Sequence, residues 1–276
     1  MPTHTIRQPM AAIIGIGLAL LLAAGAIAVF AREGTMNPGP KPTVVLVHGA
    51  FADASTWTIV IDELQKDGFP VIAPANPLRG PMSDSEYTAS VLDTLSGPLI
   101  LVGHSYGGIV ITNAAAMTHN ASNVKALVYV AALIPDVGED ARDLQATGSL
   151  IGPSTLLVRP CPADSCAAGQ DAYVDPAHFR EVMAGDLPEE KTKLLAASQR
   201  PAALNAFSDK TEFAAWHTVP SFAIVSTEDN AVGTANERYM AQRAHAQTTE
   251  IDASHLVMIS HPDAVVAVIE SAAAER

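Results

Sequence analysis

Val102-Gly103-His104-Ser105-Tyr106-Gly107-Gly108 lies between an apolar run, Pro98 to Val102, and an apolar helical stretch, Ile109 to Met117. A serine with glycines two positions to either side, entered from a strand and left by a helix, has the pattern of a nucleophile elbow. The chain must turn sharply there, and small residues at 103 and 107 let the strand and helix backbones cross without Cβ clashes. Such a turn raises the Ser105 hydroxyl above a sheet edge, with a helix N-terminus behind it to favour developing negative charge.

On either side of this segment, strand-like runs alternate with helical patterns. Thr43 to Val47 is β-branched and bounded by Pro42 and His48-Gly49; Thr56 to Lys66 places Trp57, Val60, Ile61 and Leu64 at helical spacing. Pro70 to Ala73 reads as a short strand ended by Pro74-Ala75-Asn76-Pro77, and Ser83-Asp84-Ser85-Glu86 as a capping box opening a helix through Leu95. Val124 to Leu133 is an apolar run suited to a strand buried on both faces. Ser221 to Ser226 and Thr248 to Ile251 supply two more strands around a helix from Thr234 to His245, and a last helix begins near Pro262. This alternation predicts an α/β fold: a mostly parallel sheet with helices on both faces.

The stretch from Pro135 to Pro220 breaks the rhythm with Gly, Pro, both cysteines and helical patches at Pro176 to Met183 and Glu189 to Ala197. It is far longer than a crossover needs. The reading is an inserted lid over the carboxyl edge of the sheet, where open α/β sheets bind ligands.

Composition bounds the function. A formal net charge of −13 over 276 residues argues against a nucleic-acid partner. No metal-ligand spacing of His and Cys and no Gly-rich phosphate loop occurs, so no metal or other cofactor is expected. Met1 to Pro9 carries Arg7 and no acid, and Met10 to Ala31 is an uncharged run of small and aliphatic residues. Residues 1–31 therefore read as an export signal, with small residues near 26–31 for cleavage, or as a retained membrane anchor. Either implies a periplasmic, secreted or membrane-tethered protein that meets the membrane only through this segment. Residues 32–41 look like a flexible tether to a domain spanning 42–276. In that compartment Cys161 and Cys166 are candidates for a small disulfide, worth on the order of 2 kcal/mol and acting mainly on its own loop.

A serine nucleophile needs a base in reach and an acid to orient it. Of nine histidines, His255 stands in Asp252-Ala253-Ser254-His255, just after the last strand and before the last helix, hence at the same sheet edge as Ser105. His4 lies in the leader; His119, His178, His217 and His245 have no special neighbours; His261 sits at a helix start. His48 is expected to support the loop after the first strand, and His104 to point away from the nucleophile. Asp229 follows a strand and falls between Ser105 and His255 in chain order; Glu228 and Asp136 are its rivals.

With His48-Gly49-Ala50-Phe51 after the first strand, the set Ser105, Asp229, His255 resembles the α/β-hydrolase superfamily, over Pro42 to the C-terminus, and small bacterial esterase-like members in particular. One departure is Gly233, where the family's acid loop often carries proline. The resemblance implies an oxyanion hole from the backbone N–H groups of Ala50 and Tyr106, with Phe51 as a neighbouring candidate that lines the pocket. It implies a serine hydrolase acting on carboxylic esters of small, largely apolar molecules. The fold also hosts lyases and cofactor-free oxygenases, and a non-catalytic receptor could keep the pocket. Plant hydroxynitrile lyases of this fold add a lysine near the acid–base pair, and neither loop here contains one. Oligomeric state and the identity of the substrate are not legible.

Overall fold

The computed structural model describes residues 40–145, 147–162, 166–167 and 169–275. The Met10 to Ala31 segment and nearly all of the tether lie outside them. Among the described residues no helix is long and apolar enough to cross a membrane.

Six parallel strands form the main sheet: β1 (Thr43–Val47), β2 (Val71–Ile72), β3 (Leu99–His104), β4 (Val124–Val130), β8 (Ser221–Ser226) and β9 (Gln247–Ile251), in the order β2-β1-β3-β4-β8-β9. The sequence explains the order. TVVLV, LILVGH and SFAIVS are almost continuously apolar and, apart from the half-buried Thr43, buried throughout, as strands covered on both faces must be. The edges are a two-residue strand on one side and the polar, largely exposed QTTEI on the other, neither of which invites further pairing.

The helices are α1 (Thr58–Lys66), α2 (Pro81–Leu92), α3 (Gly107–Met117), α4 (Ala141–Leu144), α5 (Phe179–Met183), α6 (Glu189–Ala197), α7 (Thr234–Arg243), α8 (Val257–Ser260) and α9 (Pro262–Ala274). α3, packed on α2, and α9, packed on α1, both contact β3 and β4 and so cover opposite faces of the sheet. Helix α2 departs from the expected capping box. Proline suits the first helical position, so the helix begins at Pro81 and ends at Leu92. Asp84 is consequently one turn inside the helix and buried.

Residues between β4 and β8 carry α4 to α6 and a second, antiparallel sheet of β5 (Leu156–Pro160), β6 (Gln170–Val174) and β7 (Ala202–Ala203). This sheet was not legible as strands. β7 has only two residues, and β5 is half-exposed with no clean alternation. Cys161 and Cys166 are joined by a disulfide in the β5–β6 connection.

Candidate active site

The elbow rests on backbone geometry that the flanking glycines permit. β3 ends at His104, and Ser105 takes φ 53°, a left-handed conformation uncommon for non-glycine residues. The Ser105 N–H donates to Val130 O at 3.2 Å, and its carbonyl accepts from Gly108 N–H at 2.9 Å and Leu133 N–H at 3.1 Å. A Cβ on Gly103 would lie 2.5 Å from the Gly107 carbonyl oxygen, and one on Gly107 2.4 Å from that of Val47. Both are impossible contacts, so strand and helix can cross this closely only as glycines.

Because the sheet is parallel, the chain leaves β3, β8 and β9 at one edge, and the loops bearing Ser105, Asp229 and His255 all begin there. Of the three, the Asp229 and His255 side chains are in direct contact. His255 Nδ1 donates to Asp229 Oδ2 at 2.6 Å, and both residues are buried. Asp229 Oδ1 accepts the N–H groups of Ala231 at 2.6 Å and Val232 at 2.9 Å. Burial works against the Asp229 charge, but His255, and then Glu237 and the Val232 N–H, hold its pKa down at about 2. A carboxylate on Nδ1 fixes the imidazole with its Nε2 free to serve a hydroxyl. Ser105 and His255 line one narrow slot, together with Ala50, Phe51, Tyr106 and Met183. Gly233, where proline was expected, takes φ 90°, which a proline ring cannot adopt.

The rivals fall elsewhere. Glu228 is exposed, its N–H donating to Ala253 O at 3.0 Å. Asp136 contacts His217 Nε2 at 3.1 Å, away from the slot. His104 is not among the residues lining the slot with Ser105 but packs against the base loop. Its ring centroid lies 4.6 Å from that of His255, and Nε2 donates to the His255 carbonyl at 3.1 Å. Burial, and then the nearby His255, push the His104 pKa well down, so the ring is neutral and braces the base loop.

Among the described residues, neither the Ala50 nor the Tyr106 backbone N–H donates within the protein, although both residues are buried beside Ser105. Unpaired buried N–H groups are rare, and both of these residues line the slot. Each is held from behind. The Tyr106 hydroxyl donates to Asp84 at 2.7 Å, and Asp84 also accepts the Arg79 N–H at 3.0 Å. His48 Nε2 accepts the Asn76 N–H at 3.0 Å, while Asn76 Nδ2 donates to His48 O at 2.9 Å, fixing the loop that leads to Ala50. Sequence reading missed Asp84 because it looked like part of a solvated cap.

The insertion is stitched to the acid and base loops. The Leu256 N–H donates to Met183 O at 3.2 Å, Ser254 Oγ is bonded to Asp186, and Gln145 Nε2 donates to Ala231 O at 2.9 Å. The free space beside Ser105 is about 10 Å³, no more than a single water needs. Beside it lies a cavity of about 560 Å³ between β5 and the Leu204–Ser208 turn, lined by Leu156, Val158, Leu204 and Phe207. Gln145, Ile151 and Phe207 belong to both spaces and form the wall between them. Phe207 stacks on Phe51 with ring centroids 5.8 Å apart. The described residues with metal-ligand spacing are Cys161, Cys166 and Asp171, but the two sulfurs are bonded to each other and are not thiolates.

The model of an α/β hydrolase family matches residues 44–268. The chain belongs to the α/β-hydrolase family. An α/β hydrolase of Aspergillus novofumigatus is 23% identical over 253 residues, covering 85% of this chain and 98% of its own. The crystal structure of polyneuridine aldehyde esterase superposes with a TM-score of 0.71 at 18% identity, over 84% of this chain and 98% of that one. Tomato methylketone synthase I complexed with 2-tridecanone gives a TM-score of 0.69 at 23% identity, over 85% and 98% of the two chains. At these identities the structural likeness speaks to the fold.

Proposed function

We propose that this α/β hydrolase is a serine esterase that cleaves carboxylic esters of small, largely apolar molecules through an acyl-enzyme on Ser105. The observation that carries the reading is the buried His255–Asp229 hydrogen bond of 2.6 Å, at a slot that His255 shares with the elbow serine. Ser105 Oγ attacks the ester carbonyl as His255 Nε2 takes its proton. The resulting oxyanion is met by the Ala50 and Tyr106 N–H groups, whose individual loss typically costs about 3 kcal/mol of transition-state stabilisation. His255 returns the proton to the departing alcohol, then takes one from the water that releases the acid. Asp229 keeps its charge throughout and stabilises the imidazolium.

The apolar cavity supports an apolar substrate body, with the scissile carbonyl in the slot and Phe207 between the two. A structural relative named as an esterase and another holding a long-chain ketone favour the same reading. The Met10 to Ala31 run and the disulfide support an exported enzyme. Turnover of p-nitrophenyl esters of increasing acyl length, with S105A alongside, tests the assignment. Hydrolysis that rises with apolar chain length and vanishes in S105A is expected; wild-type turnover in S105A would reject Ser105 as the nucleophile.

A further inference from the structure

A second carboxyl stands behind Asp229. Glu237, in the first turn of α7, is 2% exposed although its helix, TANERYMAQR, reads as a solvated one. Its Oε2 accepts the Ser226 N–H at 3.0 Å, whereas Oε1 is buried without a hydrogen-bond partner among the described residues. Ser226 joins the two acids: its N–H bonds Glu237 and its carbonyl accepts the Asp229 N–H at 3.3 Å, and each carboxyl shifts the pKa of the other. A carboxylate offers about four lone-pair directions. On Asp229 the Ala231 and Val232 N–H groups and His255 Nδ1 use three, leaving one on Oδ2.

Two neighbouring carboxylates in a dry site cannot both be ionised. Asp229 has an imidazole and two backbone donors to support a charge, while Glu237 has one backbone donor. The other cation near Glu237 is Arg238 on the same helix, and its guanidinium is engaged by Glu250 through two contacts of 2.7 Å. Beyond Asp229 stand His255 and, against it, the neutral His104.

We propose that Glu237 is a positioning residue, a neutral carboxylic acid at neutral pH whose hydroxyl donates to Asp229 and fixes the rotamer that receives His255. Burial, and then the Asp229 charge, push the Glu237 pKa well above the carboxylate range, in keeping with this geometry. The proton supplies what the unpartnered oxygen lacks. It also lets Asp229 be held from behind without a second negative charge beside His255. The role rests on the reading of Asp229 and His255 as acid and base, but the protonation itself does not.

Two measurements separate those parts. An infrared difference spectrum between the wild-type protein and E237Q at neutral pH should contain a protonated-carboxyl band from Glu237; its absence would overturn the proposal whatever the protein catalyses. Ester kinetics then test the donor. E237M, similar in size but without a donor, should lower kcat roughly ten-fold or more with KM little changed. E237Q should recover most of that loss, with the acid limb of the kcat/KM profile unmoved, since a neutral group replaces a neutral group. An acid limb displaced to lower pH in E237Q would mean that a charge had been removed and would overturn the proposal. So would wild-type kcat in E237M. Should E237M fail to fold, the E237Q profile and the infrared band decide alone.

Discussion

Gly107→Ala should cost both stability and turnover, by amounts that follow from one contact. The added Cβ would sit 2.4 Å from the Val47 carbonyl oxygen and 3.0 Å from that of His48, where ordinary contact begins near 3.4 Å. The N-terminus of α3 must therefore move about 1 Å from the end of β1. Both partners are backbone atoms in the buried centre of the fold, so no flexible side chain can give way, and the cost belongs near the top of the overpacking range, about 3 kcal/mol. Ser105 is two residues upstream on the same turn, and a displacement of about 1 Å at a nucleophile costs on the order of 100-fold in rate. Urea unfolding and ester kcat/KM measure the two effects. Gly97→Ala is the control. Gly97 has φ 82° and nothing within 4 Å of its Cβ position, and it precedes β3 at the sheet edge opposite the elbow. It should lose about 1–2 kcal/mol to backbone strain and keep its turnover. A G107A protein with wild-type turnover would refute the argument that close crossing of strand and helix sets the position of the serine.

Four further outcomes are expected. Asp229→Asn should keep the geometry but present the wrong partner to His255 Nδ1, lowering kcat by about 10⁴, while E228Q, at an exposed position, should change little in the same assay. Because the folded pKa of Glu237 lies above its ordinary 4.5, its contribution to stability is full below that value and lost as pH rises towards the folded one. Denaturation at rising pH above that value should accordingly show E237Q gaining steadily on wild type, and parallel curves would contradict this. Phe207→Ala should join the slot to the 560 Å³ cavity and raise kcat/KM for bulky esters relative to acetate esters; an equal change for both would refute its role as the wall. Reducing the Cys161–Cys166 bond should alter KM for bulky esters more than the unfolding midpoint, because the bond restrains the end of β5, which lines that cavity, and alkylation before and after reduction reports its state.

What the sequence displayed and what it hid differ for a physical reason. The elbow, the base loop and the acid loop were legible because each is a local pattern: a small-residue turn, or a polar residue directly after an apolar strand. Parallel strands then bring such loops to one edge without further information. Burial of charge is not local. Glu237 sits in a helix whose neighbours Arg238 and Tyr239 are exposed, and only its placement against Asp229 buries it. Asp84 was hidden by the same effect, since the start of α2 at Pro81 turned an expected cap residue inward toward Tyr106. The bond from His104 to the His255 carbonyl was hidden because it joins loops that are distant in the chain. The β5–β7 sheet escaped because its short strands gain their order from one another and from Arg79, which binds Asp171 at 2.8 Å and Pro201 O at 2.7 Å.

The proposed esterase rests on Ser105 as nucleophile and His255 as its base. Treatment with a fluorophosphonate, followed by peptide mass mapping and residual ester turnover on the same sample, tests it most directly. One adduct per chain is expected, on Ser105, with turnover falling in proportion to labelling, and slow or no labelling in H255A. Full ester turnover in completely labelled protein, or an adduct on a residue other than Ser105, would overturn that assignment.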